Sequence, residues 1–135
     1  MAEPAASLAF IAEPAALEQL VAWTQGVVER LALAPSQAYA LDLCMEEMVA
    51  NILLHGSLGG PGVGVWVTIA ADPLRLIVED DGPAFDPCSQ PEAELAADLD
   101  TSAIGGRGLA LVRRFSVSMA YRREAGRNRV EIGLG

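Results

Sequence analysis

Apolar residues along this chain keep two periods, and the switch between them outlines the elements. A short apolar run at 7–11 (SLAFI) predicts an opening strand. Pro14 suits the first turn of a helix, and Leu17, Leu20, Val21, Val27, Val28 and Leu31 follow at near-helical spacing. Pro35 and Ser36 break the chain before a second helix over 36–55, with Gly56 as its stop. Within it Leu41, Cys44, Met45, Met48, Val49 and Ile52 recur at three and four residues, so one face belongs to the core. Beyond the loop Gly59-Gly60-Pro61-Gly62 alternation takes over, at Val63, Val65, Val67 and Ile69. It resumes at Leu74, Leu76 and Val78 after a turn at Asp72-Pro73, which makes a hairpin. From Asp80 to Gly106 the period is lost; Pro83, Pro87 and Pro91 stiffen the first half, and one short helix is expected over 92–99. A glycine-led helix over 105–114 and strands at 116–121 and 129–134, around an Ala125-Gly126 turn, close the chain. The order is strand, helix, helix, two strands, loop, helix, two strands, with no internal repeat. Helices clustered between antiparallel strands predict an α+β two-layer sandwich rather than a doubly wound parallel sheet.

Composition narrows the chemistry. The 135 residues suit one domain, 1–135, and 52% hydrophobic against 20% charged residues can bury a core. A net charge of -9 argues against a general nucleic-acid binder. Every basic residue is Arg, so a phosphate loop ending in Gly-Lys-Ser/Thr and lysine-based covalent chemistry are excluded. Two cysteines, Cys44 and Cys88, suggest neither a disulfide scaffold nor a zinc site, and a single His excludes a multi-histidine metal cage. The N-terminus lacks a positive n-region, with Glu3 where a signal peptide wants Lys or Arg, and no apolar run approaches the ~20 residues that span a bilayer. A soluble cytoplasmic protein is expected.

Charge is unevenly spread. Residues 1–104 carry 16 acidic and 2 basic side chains, whereas residues 105–135 carry 7 Arg and 2 Glu. The basic tail is either a solvated face balancing its neighbours or an attraction for a polyanionic ligand or acidic partner. Its place beside the glycine cluster favours a phosphate role.

Three constellations carry candidate chemistry. Glu47, Asn51 and His55 stand four apart and form one polar row on the second helix. Asn is a weak helix former, so its use mid-helix needs a reason. The row is either a solvent-facing stripe or a carboxylate one turn from a neutral oxygen that suits a nucleotide-borne Mg²⁺; His55 reads as a helix-end hydrogen-bonding residue. Next, Glu79-Asp80-Asp81-Gly82-Pro83 leaves the second hairpin strand. It is either a plain turn or a site where one carboxylate points inward to accept from an exocyclic amine, Gly82 letting a flat ring approach. Last, Gly105-Gly106-Arg107-Gly108-Leu109 opens an apolar helix. Close helix packing explains it; so does a phosphate site built from bare N–H groups and the helix dipole.

Their order, Glu-x-x-x-Asn on a helix, Asp-x-Gly after a strand, then Gly-x-Gly-Leu opening a helix, resembles the GHKL ATPase superfamily. The segments EEMVANILLHG, VEDDGPAFDP, GGRGLALVRRF and YRREAGRNRVEI look like the bacterial anti-sigma factor serine kinases. The resemblance implies the Bergerat-type sandwich, a mixed, mostly antiparallel sheet covered on one face by helices. It implies ATP and Mg²⁺ as cofactors, with Asn51 holding the metal, Glu47 as general base and Asp80, with Gly82, taking the adenine amine. Ile104, Gly105, Gly106, Arg107, Gly108 and Leu109 would cradle the phosphates behind a lid over 87–104, with Arg107 and Arg113 compensating charge, while Asp81 would be exposed. Two departures stand out. Ala84 occupies a position where many relatives have Gly, with a penalty of roughly 1 kcal/mol if φ is positive there, and no Thr stands near the last strand to support the adenine carboxylate; Asn128 follows Gly126 as in the serine-kinase group.

The implied function is an ATP-dependent serine/threonine kinase that binds a sigma factor, phosphorylates an antagonist (anti-anti-sigma) protein and forms a homodimer, with no direct nucleic-acid or membrane partner. The alternative is a nucleotide-gated binding module with little or no kinase activity. A histidine-kinase ATP domain cut from its sensor lacks its phosphoacceptor helix here.

Overall fold

The computed structural model describes residues 4–56, 62–89 and 104–135. The helix expected over 92–99 and most of the lid lie outside the described residues. The elements are β1 (Pro4–Ile11), α1 (Ala16–Leu31), α2 (Pro35–Gly56), β2 (Gly64–Ala70), β3 (Arg75–Asp80), α3 (Ile104–Phe115), β4 (Ser118–Glu124) and β5 (Arg127–Gly133), with a 3₁₀ turn at Pro87–Ser89. They arise where the two periods placed them, with ends moved by up to three residues. One sheet runs in the order β1-β2-β3-β5-β4. The expected mixed, mostly antiparallel sheet is antiparallel in each of its ladders.

Alternation decides which face is covered. Val65, Val67 and Ile69 of β2, Leu76 and Val78 of β3, and Val130 and Ile132 of β5 point to one side. Against them lie Leu41, Cys44, Met45, Met48, Val49 and Ile52 of α2, the stripe read from the sequence, with Leu20 and Val27 of α1 and Val112 of α3. All of these are buried. A second layer of helices on one sheet face therefore makes the core, as hydrophobic burial requires.

The other face carries the charge. Arg127 and Arg129 pair with Glu79 at 3.5 and 3.9 Å, Arg129 and Arg75 with Glu131 at 3.3 and 3.5 Å, and Arg122 with Glu124 at 2.6 Å. Arg127 also lies 3.5 Å above the centre of the Trp66 ring. Three of the seven tail arginines, Arg122, Arg127 and Arg129, thus balance neighbouring carboxylates, in keeping with the first of the two readings left open for the tail.

Two alanines sit in the left-handed region. Ala32 caps α1 with φ 51° and ψ 48°, its N–H returning to Glu29 and Val28 carbonyls, and Ala125 has φ 52° beside Gly126 at 77° in the two-residue β4–β5 hairpin loop. Such a loop wants positive φ twice, which Asn-Gly meets more cheaply than Ala-Gly. Ala125→Asn is expected to stabilise the fold by about 0.5–1 kcal/mol, seen as a higher midpoint in urea unfolding with unchanged slope.

Candidate nucleotide site

The polar row of α2 turns inward. Asn51 is 4% exposed, and its carboxamide oxygen Oδ1 is buried without a hydrogen-bond partner among the described residues. Glu47, one turn earlier, is half-buried. A solvent-facing stripe is thereby overturned: Asn51 turns towards the end of β3 because the apolar stripe beside it must meet β2, β3 and β5. Burial, and then the charge of Glu46, push the Glu47 carboxyl above its usual range. Cys44 is driven up to about 11 by burial and by Glu47, so its thiol stays protonated and inert. The side chain of His55 lies outside the described residues.

Asp80 ends β3 facing the helices, 8% exposed, while Asp81 faces out. Of the adjacent pair, one carboxylate does point inward. Asp80 Oδ1 accepts from the Gly82 N–H at 2.9 Å and from Asn128 Nδ2 at 3.0 Å. Asp81 is exposed as expected, yet it is not idle. Its Oδ1 accepts from the Gly64 N–H at 2.7 Å, and its own N–H donates to the Gly64 carbonyl at 3.2 Å, which extends the β2–β3 ladder by one residue.

Asn51 and Asp80 line the same open cleft, about 390 Å³ counted to its mouth. Met48, Ile52, Val78 and Val130 form its apolar floor, and Pro83, Phe85 and Pro87 its outer wall. Apolar walls with a few convergent polar groups are what a ligand site needs. One buried neutral oxygen lacking a donor fits a hard cation that keeps most of its other positions for phosphate and water. A buried acceptor on Asp80 fits an exocyclic amine. The residues present therefore fit a Mg²⁺-bound adenine nucleotide.

The other predicted residues fall out as follows. Ile104, Gly105, Gly106, Arg107, Gly108 and Leu109 form the opening turns of α3, and only the first four backbone N–H groups there, which exclude those of Gly108 and Leu109, have no partner within the helix; their side chains lie outside the described residues. Arg113 departs from expectation. Its Nη2 donates to the Pro87 and Cys88 carbonyls at 3.3 and 2.9 Å, so it ties α3 to the cleft wall rather than awaiting a phosphate. Ala84 also departs: the non-glycine residues of positive φ among the described residues are Ala32, Asp72 and Ala125. The backbone at Ala84 avoids the left-handed region, so the penalty foreseen there does not arise.

The residue whose weight the sequence reading underestimated is Asn128. The sequence places it after Gly126 as in the serine-kinase group, one residue before the last strand expected at 129–134. The readable signal was alternation: Asn128, Val130 and Ile132 share a face, and an Asn on a core-facing row calls for partners.

Burial is the largest influence on Asp80 and raises its carboxyl above the ordinary value, opposed by the Asn128 and Gly82 hydrogen bonds and by Arg123. The folded state thus holds this proton more tightly than the unfolded chain. Its contribution to stability falls as pH rises from the usual carboxylate range through the raised value, and stays low above it. Asp80→Asn is expected to make the ligand-free protein more stable than wild type at pH 7, with the gap closing as pH falls towards about 4. Urea unfolding of both proteins across that range measures this; a constant gap would contradict it.

Comparison with known proteins agrees with this geometry. A family described as "Histidine kinase-like ATPase domain" matches residues 10–134. The chain is 29% identical over 112 residues to the serine/threonine-protein kinase BtrW of Bordetella bronchiseptica, covering 82% of this chain and 79% of that protein. Its fold is similar to a chain of the SiaB–SiaC complex from Pseudomonas aeruginosa, with a TM-score of 0.63 at 17% identity, over 93% of this chain and 88% of the other. A bare carboxamide oxygen on a helix and a strand-end carboxylate lining one cleft, on an antiparallel sheet with helices on one face, are in keeping with that match, and the chain belongs to the histidine kinase-like ATPase domain family.

Proposed function

We propose that the chain is an ATP-binding anti-sigma regulatory factor that acts as a serine/threonine kinase on an antagonist protein in a partner-switching pathway. The observation that carries the nucleotide site is the unpartnered, buried Oδ1 of Asn51 in one cleft with Asp80. The likeness to BtrW, itself a serine/threonine-protein kinase, supports the choice of reaction. A sigma factor as second partner, a homodimer, a cytoplasmic setting and a role in transcription follow from the same reading.

Phosphoryl transfer is mostly positioning and neutralisation of charge, so a small inventory suffices. Mg²⁺, when bound, supplies charge neutralisation on the phosphates, and Asn51 is the residue that would hold it. Asp80, ionised, accepts from the adenine amine, with Gly82 leaving room for the ring. Gly105 and Gly106, in the first turn of α3, offer backbone N–H groups to the phosphates, Gly108 leaves room beside them, Ile104 and Leu109 flank them, and Arg107 adds positive charge. Glu47 takes the proton of the target Ser hydroxyl as its oxygen bonds to the γ-phosphorus and the bond to ADP breaks. Burial raises Glu47, which brings a carboxylate closer to the basicity such a step needs.

Asn51→Ala is expected to lose the Mg²⁺-dependent part of ATP binding in titration calorimetry, with the fold retained; unchanged affinity in this variant would remove the metal assignment. Glu47→Ala should still bind ATP but transfer labelled phosphate to a purified antagonist-type protein about 10²–10⁴-fold more slowly. Binding without any transfer by the wild type would instead mark a nucleotide-gated binding module.

A further inference from the structure

Asn128 is 4% exposed, and its side-chain amide is fully used. Nδ2 donates to Asp80 Oδ1 at 3.0 Å and to the Pro83 carbonyl at 2.8 Å. Oδ1 accepts from the Phe85 N–H at 3.1 Å and from the Tyr121 hydroxyl at 2.6 Å. Two donors and two acceptors exhaust what an amide offers. A backbone N–H can only donate and a carbonyl can only accept, so Phe85 and Pro83 fix which end of the amide is which. Asn128 therefore must present a donor to Asp80.

The register explains how this comes about. Asn128 stands opposite Asp80 across the β3–β5 ladder and opposite Arg123 across β4–β5. From there it reaches the acceptor in the cleft and both residues, Pro83 and Phe85, that form much of the cleft's outer wall. Arg123 Nη1 holds the intervening Gly82 carbonyl at 2.9 Å. With Gly82 N–H and Asn128 both on Oδ1 of Asp80, that oxygen has two donors. Its Oδ2 has none among the described residues.

We propose that Asn128 is a positioning residue that sets base selectivity at this site. By occupying Oδ1 and pinning the wall, it leaves Oδ2 as one fixed acceptor, which welcomes an exocyclic amine and repels a carbonyl oxygen at the same place. The inference rests on the nucleotide reading above and adds to it the origin of the discrimination. Hypoxanthine is the sharpest probe, because it differs from adenine in carrying an oxygen where adenine carries the amine. The triphosphate and its metal are the same in both nucleotides.

The test is the ratio of ITP to ATP dissociation constants, measured by calorimetry with Mg²⁺ on the intact chain. Wild type is expected to favour ATP at least 10-fold. In Asn128→Ala that ratio is expected to fall below about 3-fold, chiefly through weaker ATP binding, with ITP affinity nearly unchanged. General damage to the fold would weaken both nucleotides together and leave the ratio alone. Tyr121→Phe removes one hydrogen bond to Asn128 and nothing that touches the cleft, and is expected to lower the ratio by about 2- to 5-fold; it carries the test if Asn128→Ala does not fold. A wild-type ratio preserved in the folded variants overturns the role of Asn128 while leaving the nucleotide site standing. Failure of the wild type to bind either nucleotide overturns the nucleotide reading, and this inference with it.

Discussion

A carboxylate held under the helices, at the end of a core strand, is the constraint around which the rest of this site is arranged. Burying an ionised carboxylate is costly unless donors surround it, and Asp80 has its two on one oxygen. Meeting that need fixes much else. Gly82 must turn so that its N–H returns to the side chain two residues earlier, which sends the chain outward as the cleft wall. The last strand must place an amide opposite Asp80, and the β3–β5 register does so. Asp81 then faces away and spends its carboxylate on Gly64, closing the open end of the β2–β3 ladder. Removing the charge would relax these demands. Burial outweighs the hydrogen bonds and the Arg123 charge in setting its proton affinity, a cost that the proposed role of Asp80 as acceptor for the base would account for.

The charged outer face follows another logic. Its ion pairs are about a quarter to over half exposed, and such pairs contribute at most about 1 kcal/mol each. Their value is in covering. Cross-strand partners on this face lay arginine stems over apolar surface, and Ile77 is only 9% exposed there although none of the described helices packs on that side. The Arg-rich tail of an acidic chain thus acts largely within the sheet. Its two remaining described tethers, Arg113 and Arg123, hold carbonyls of the cleft wall. The wall is fastened to the sheet and to α3 at both ends before any ligand arrives.

Much of this was legible from periodicity. Helical spacing placed α1 and α2, alternation placed β2 and β3, and the inward turn of Asp80 was one of two stated readings. The row Glu47–Asn51 was visible, but its burial was not, because a four-residue interval fixes that residues share a face and not where the face points. Asn128 escaped because the alternation was begun one residue late, and a strand boundary is set by pairing with a partner far away in sequence. The same holds for Arg113. Seven arginines in the tail implied anion binding, and only folding shows that two backbone carbonyls were the partners of one of them. At Ala84 a pattern among relatives suggested strain, while the local backbone takes a path that any residue follows.

Two asparagines in this cleft frame the argument about function. Asn128 makes every hydrogen bond an amide can make; Asn51, equally buried, leaves Oδ1 without a donor. Both face the same small volume beside Asp80. A folded chain satisfies nearly all of its buried polar atoms, so packing alone does not account for the contrast. The satisfied amide belongs to the scaffold, since its partners are a strand, a hydroxyl and the wall. The unsatisfied one sits on a helix where Ala or Leu would pack at no polar cost. On the proposed function, what favours an asparagine there is a partner outside the chain. A hard cation is the simplest partner that needs one neutral oxygen and supplies the missing charge.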